Sequence, residues 1–313
     1  MKSIRELFGL TDVPDTAVVP IREKIAGLPD GVYPTLMPFY WFEAGLLKKL
    51  MRFFFKAPAR RNIMFIGDAG VGKSSLIEQV ATRLGWPVFS IACSGRMRMQ
   101  HFVGSYVLSK GETKWQDGPL IKAMRYGGVF LADEITRLDH SEQMALAKVL
   151  DQDATITIPD TGEVVRAHEG FRFCATGNSG GFGDESGAYN GERVSSVAFL
   201  DRFQKFRLDY MPPEEEFKLL KAVTKNALDD SILRAMVKLA TDVRKNFVSR
   251  GGDLRTVIST RGLCVWALEA VGYKGISKVP LEEALSDTIL NGCPENDSKV
   301  ILELWNKWIN ESA

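Results

Sequence analysis

Gly67-Asp68-Ala69-Gly70-Val71-Gly72-Lys73-Ser74 reads G-x-x-x-x-G-K-S, a spacing that cradles phosphate. Its flanks agree. Asn62-Ile63-Met64-Phe65-Ile66 before it is an apolar run of strand length, and Leu76, Ile77, Val80, Ala81 and Leu84 after it recur at helical spacing. Glycines let backbone N–H groups close around phosphate oxygens, and the N-terminus of a helix adds a favourable dipole. Lys73 is expected to reach the β- and γ-phosphates of ATP and the Ser74 hydroxyl to complete a Mg²⁺ shell; Ser75 closes the nucleotide-binding set 67–75. The bland alternative is an ordinary strand–turn–helix with a glycine-rich turn. Lys and Ser in register between a strand and a helix favour the nucleotide.

A second stretch answers the first. In Gly127-Gly128-Val129-Phe130-Leu131-Ala132-Asp133-Glu134, a short apolar strand ends on two acids. In open α/β sheets ligands bind at the carboxyl ends of strands, and an acidic pair there needs a cation to justify it. Asp133 is expected to hold Mg²⁺, directly or through water, and Glu134 to orient and polarise the attacking water. The alternative for the pair is an acidic cap on a following helix. Phe171-Arg172-Phe173-Cys174-Ala175-Thr176-Gly177-Asn178 is a further buried strand with a polar end. Asn178 either bonds the γ-phosphate or the lytic water, or serves the turn before Gly180-Gly181.

Trp86-Pro87-Val88-Phe89-Ser90-Ile91-Ala92-Cys93 supplies another strand, and Phe206-Arg207-Leu208-Asp209-Tyr210 a fifth. Two hairpins interrupt the pattern. One pairs Phe102-Val103-Gly104-Ser105-Tyr106-Val107-Leu108 with Glu112-Thr113-Lys114-Trp115; the other pairs Thr155-Ile156-Thr157-Ile158 with Glu163-Val164-Val165-Arg166. Prolines at 14, 20, 29, 34 and 38 argue against a long regular element in residues 1–40, which read as a strap ahead of a helix over 42–55 with Pro58 past its end. Met211-Pro212-Pro213, followed by three glutamates, marks a boundary, and only helical periodicity follows it.

With 313 residues the chain has room for two domains, and 45% hydrophobic with 25% charged residues is ordinary for a globular protein. A net charge of +1 gives no global attraction to nucleic acid or anionic membrane, although Arg60, Arg61, Arg96 and Arg98 form local basic clusters. Cys93, Cys174, Cys264 and Cys293 contain no C-x-x-C pair, and His101, His140 and His168 share no metal-ligand spacing. With no secretory leader and no long apolar run, a cytoplasmic chain with reduced thiols is expected.

The order of strand, phosphate loop, helix, strand, acid-ended strand, polar-ended strand and helical C-terminus resembles the AAA+ ATPases. The two hairpins resemble the MoxR branch. Within it, nearly the whole chain resembles the ATPase subunit of aerobic cobaltochelatase (CobS type). Ile4-Arg5-Glu6-Leu7-Phe8-Gly9 is similar to that family's opening, and Gln116-Asp117-Gly118-Pro119-Leu120 to its D-G-x-L step. Gly181-Phe182-Gly183-Asp184-Glu185-Ser186-Gly187-Ala188-Tyr189-Asn190-Gly191 is similar to its G-x-G-D-x-x-G-x-Y-x-G loop.

The resemblance implies an α/β fold of the P-loop NTPase (AAA+) type: a three-layer αβα sandwich on a parallel five-stranded sheet, plus a C-terminal α-helical lid. It divides the chain into a leader at 1–40, an ATPase core with β-hairpin insertions at 41–210, and a lid at 211–313. It gives Asn178 the sensor-1 role, makes Arg202 an arginine finger on a neighbouring subunit's γ-phosphate, and makes Arg261 the lid's sensor-2 arginine. It further implies a homo-oligomeric ring, a hexamer, working on a von Willebrand-A-type partner protein. In the strict cobaltochelatase case a large chelatase subunit joins, and cobalt enters a corrinoid there. Three positions depart from the family pattern: Ser74 stands where Thr is frequent, Ile135-Thr136 follow the acidic pair in place of Tyr-Asp, and Thr260 stands where Pro is frequent. Two other readings remain: a nucleic-acid motor, disfavoured by the neutral charge, and a scaffold that binds ATP without turning it over.

Overall fold

The computed structural model describes residues 1–10, 14, 16–56, 62–184, 187–189 and 191–312. Pro58, Arg60 and Arg61, and Glu185, Ser186 and Asn190 of the glycine-rich loop, lie outside them. By its contacts the chain divides into two units. The first comprises Met1–Gly67, Lys73–Asp184 and Gly191–Leu208; the second comprises Asp68–Gly72, Glu185–Asn190 and Asp209–Ala313.

The first unit is built on five parallel strands: β1 (Asn62–Ile66), β2 (Val88–Ala92), β3 (Val129–Asp133), β4 (Arg172–Gly177) and β5 (Gln204–Arg207). They lie in the order β5-β1-β4-β3-β2. Successive strand residues point to opposite faces, so a sheet covered on both sides needs apolar residues at every position. Ile63, Phe65, Val129, Leu131 and Cys174 bury on one face with helices α1 (Ala44–Phe55) and α2 (Lys73–Arg83). Met64, Ile66, Phe130, Ala132, Phe173 and Ala175 bury on the other with α3 (Pro119–Tyr126) and α4 (His140–Leu150). This is the three-layer αβα sandwich that the resemblance implied.

Two backbone devices fix α1. Its N-terminus is capped by Glu43, whose carboxylate accepts from the Gly45 and Leu46 N–H groups at 2.8 and 2.6 Å. Its last turn is held by the buried Arg172, which donates to the Phe53 and Phe54 carbonyls at 2.9 and 2.7 Å. Phe8 and Val19 from the proline-rich leader, and Phe42 just ahead of α1, bury in the same layer, and Lys2–Ser3 pairs antiparallel with Val18–Val19.

Both hairpins are present. Gly104–Ser109 pairs with Glu112–Asp117, and Thr155–Thr157 with Val164–Arg166. Two expectations shift. Phe102 and Val103, read as the start of an extended piece, end a short helix Met99–Val103 and are buried; the chain turns at Gly104, with φ 130°. The fifth strand was expected at 206–210 and runs over Gln204–Arg207, because pairing with β1 stops where Arg207 meets Ile66.

The second unit is helical, as expected: α5 (Pro213–Val223), α6 (Asp230–Lys245), α7 (Thr260–Gly272), α8 (Pro280–Thr288) and α9 (Glu295–Ser312). Their shared core holds Met236, Leu263, Trp266, Leu285, Ile301 and Trp305. The two indoles meet edge to face at 4.9 Å. Among the described residues no helix is long and apolar enough to cross a membrane. The four cysteines are free.

Candidate functional site

The register of the sheet sets the site in the first unit. In the centre, Ala175 of β4 pairs with Met64 of β1 on one side and Ala132 of β3 on the other. Gly67, Asp133 and Asn178 therefore leave the carboxyl edge of the sheet together, where α/β proteins bind ligands.

Lys73 opens α2 and is buried, its ammonium donating to the Gly67 carbonyl and to Asn178 Oδ1, both at 2.8 Å. A buried ammonium at the first turn of a helix, beside the loop glycines, is placed to meet an anion delivered there. Next along the helix, the Ser74 hydroxyl donates to Asp133 Oδ1 at 2.6 Å. Thr176 on β4 completes this corner. Its hydroxyl donates to the same Asp133 oxygen at 2.5 Å and accepts the Glu134 N–H at 2.9 Å. A serine hydroxyl and a carboxylate already in contact form an oxygen-only donor set, which suits a hard cation such as Mg²⁺.

Glu134 is held in an unusual way. Its backbone is left-handed, φ 56° and ψ 45°, a conformation that costs a non-glycine residue about 1–3 kcal/mol. Its side chain caps nothing, so the acidic-cap alternative has no hydrogen bond behind it. The carboxylate instead lies 3.0 Å from Arg137 Nε, a charge contact without hydrogen-bond alignment. Asn178 does more than turn the chain, since its amide oxygen is engaged by Lys73.

Arg202 follows the short helix Val197–Leu200 and is not among the side chains gathered around Lys73. It donates to Asp151 Oδ1 at 2.9 Å and to the Ala198 carbonyl at 2.7 Å.

The middle of the phosphate loop belongs to the second unit. Gly70 and Gly72 have φ of 76° and 90°, which only glycine adopts freely. A Cβ on Gly70 would sit 2.2 Å from Ser259 Cβ. Asp68 accepts from the Tyr189 hydroxyl at 2.9 Å and from Arg250 Nε at 2.8 Å. The Tyr210 hydroxyl donates to the Ala69 carbonyl at 2.6 Å. Ser259 caps α7 by accepting the Gly262 N–H at 3.1 Å, and Arg261 is exposed in that helix's first turn. A buried pair sets the start of α7. Arg244 donates to both Glu216 oxygens at 2.7 and 2.9 Å and to the Ile258 carbonyl at 2.7 Å, while Thr260 Oγ1 donates to Glu216 at 2.5 Å. Thr260, one of the departures from the family pattern, thus has a partner of its own.

Thr176, Arg137, Tyr210 and Arg250 were not singled out in the sequence. Thr176 carried a signal, a hydroxyl in the apolar run that follows Arg172 in β4. Arg137 and Arg250 look like any surface arginine until the fold places them.

Comparison with known proteins shows the family of the chain. Residues 62–203 match the family model described as AAA domain (dynein-related subfamily). The aerobic cobaltochelatase subunit CobS of Sinorhizobium sp is 30% identical over 97% of this chain and 89% of its own length. The chain belongs to the MoxR/CobS-related family of AAA+ ATPases. Protein NorQ of Paracoccus denitrificans (strain Pd 1222) is 29% identical over 66% of this AAA+ chain and 71% of its own length. Protein CbbQ of Hydrogenophilus thermoluteolus is 30% identical over 69% and 75%.

Proposed function

We propose that this AAA+ chain is a Mg²⁺-dependent ATPase that assembles into a ring, a hexamer, and spends hydrolysis on remodelling a partner protein. The observation that carries the reading is the contact set at the sheet edge: Lys73 with Asn178, Ser74 with Asp133, and Glu134 one residue on. Residues 67–75 would wrap the phosphates of ATP, with the Lys73 ammonium exchanging its carbonyl and amide partners for phosphate oxygens. Ser74 and Asp133 would hold Mg²⁺, which when bound neutralises charge on the phosphates. Glu134 would take the proton of the attacking water, and Asn178 would orient that water or the γ-phosphate. Arg202 would act on the γ-phosphate of a neighbouring subunit, and Arg261 on the subunit's own nucleotide.

For the partner, a von Willebrand-A-type protein is the preferred class. The extent of the match to CobS supports a place in a cobaltochelatase-like assembly with a large chelatase subunit, the metal being cargo there rather than a resident of this chain. The matches to NorQ and CbbQ support the second reading, a MoxR-type chaperone ATPase for a different client. Neutral net charge continues to disfavour a nucleic-acid motor. Phosphate release from ATP by the purified chain tests the activity. It should disappear on chelation of Mg²⁺ and in Lys73→Ala, and release that survives both would refute the assignment.

A further inference from the structure

The parallel ladder between β4 and β1 ends where Gly177 meets Ile66. The next two backbone amides need partners from elsewhere, since buried or half-buried N–H groups are rarely left unpaired. Both go to one side chain. Glu192 Oε1 accepts the Asn178 N–H at 3.3 Å; Oε2 accepts the Ser179 N–H at 3.4 Å and the Ser179 hydroxyl at 2.6 Å.

The three residues that follow Glu192 are each tied down. The Arg193 N–H donates to the Thr136 carbonyl at 3.0 Å, just past the acidic end of β3, and the Arg193 guanidinium pairs with Asp139 at 2.5 Å. Beyond it, Phe182 and Val194 form an antiparallel bridge, and the Ser195 N–H donates to the Gly181 carbonyl at 2.8 Å. The strand-like segment 192–195 is thereby tied to the turn after β3 and to the chain leaving β4.

We infer that Glu192 is a positioning residue that sets the backbone of Asn178, and through it the amide that engages Lys73. The reasoning is geometric. Asn178 is the first residue past the sheet, so nothing in the ladder fixes its φ and ψ, while its side-chain oxygen must meet the Lys73 ammonium at hydrogen-bond distance. A carboxylate accepting two successive amides and a hydroxyl holds that turn in one conformation. A small misplacement of a group that contacts the reacting phosphate costs rate far more than it costs binding. The inference rests on the reading of Asn178 given above.

The test is a double-mutant cycle on the full chain, reading steady-state turnover and the affinity for a fluorescent ATP analogue. Glu192→Ala should lower kcat about tenfold with analogue affinity within about threefold of wild type, the signature of lost positioning rather than lost binding. Glu192→Gln keeps one acceptor oxygen but turns an N–H₂ group toward the donors, so its turnover should fall between the two; it also carries the cycle if the alanine variant does not fold. On an Asn178→Ala background, the Glu192 substitution should change kcat less than about twofold, because residues that act through one group are not additive. Full additivity in the cycle, or wild-type turnover in Glu192→Ala, overturns the inference alone. Wild-type turnover in Asn178→Ala instead removes the reading beneath it, and the two failures are told apart by the Asn178 variant measured by itself.

Discussion

At the scale of single residues, the glycines and the buried thiols make the sharpest tests. Gly70 combines a φ of 76° with a Cβ position 2.2 Å from Ser259 Cβ, so alanine there is opposed by both strain and overlap. Left-handed backbone alone costs an L-residue about 1–2 kcal/mol. Gly70→Ala should weaken ATP binding at least about tenfold, measured by titration, and Ser259→Gly on top of it should restore part of the loss, since it removes the overlap and leaves the strain. Cys93 is pushed up to about 12, first by burial and then by Asp133 and Glu134 nearby. Between its unfolded value and that folded value only the unfolded chain sheds the proton, so this thiol's contribution makes stability fall as pH rises through that window and adds nothing below it. At pH 8 iodoacetamide should leave Cys93 unmodified in the native chain and alkylate it in urea, as read by mass spectrometry. The side chains gathered at the sheet edge were legible wherever a motif dictates the residue type and its spacing, as at Lys73, Ser74 and Asp133. Glu192 and Arg137 were not, because any surface carboxylate or guanidinium looks the same in one dimension.

Among elements, the central strands were readable because a sheet covered on both faces turns into apolar runs such as Ile63-Met64-Phe65-Ile66, whereas the edge strand β5 buries only Phe206. The five-residue helix Met99–Val103 was not, since it is too short to show a helical period. The end of β5 was overrun because Leu208 and Tyr210 continue its apolar pattern after pairing with β1 has ended. In the helical unit, α5, α6 and the start of α7 depend on one buried ion pair. Arg244 and Glu216 are 5% and 1% exposed, and removing one partner strands the other charge. Arg244→Met should destabilise the helical unit by about 3–5 kcal/mol in urea unfolding. Glu216→Leu combined with Arg244→Met should recover much of that, because well-packed apolar groups replace a buried pair at little cost. A single variant that unfolds like wild type would show that the pair contributes nothing.

For the whole molecule, the αβα layering and the helical C-terminal region follow from the order of apolar patterns along the chain. The grouping of Asp68–Gly72 with the second unit does not, because it depends on Tyr189, Tyr210 and Arg250 converging on the loop from distant positions. The ring is argued from Arg202, which in the single chain is occupied by Asp151 and the Ala198 carbonyl rather than by the Lys73 cluster. An arginine supplied across an interface is worth about 10³–10⁵ in rate. Arg202→Ala subunits mixed with Lys73→Ala subunits should therefore regain turnover that neither has alone, and no recovery at any ratio would count against the trans role. The claim on which the rest depends is that Glu134, held left-handed at the end of β3, drives hydrolysis. In Glu134→Gln, the account predicts ATP affinity close to wild type with turnover lower by about 10²–10⁴. Wild-type turnover in that variant would contradict it.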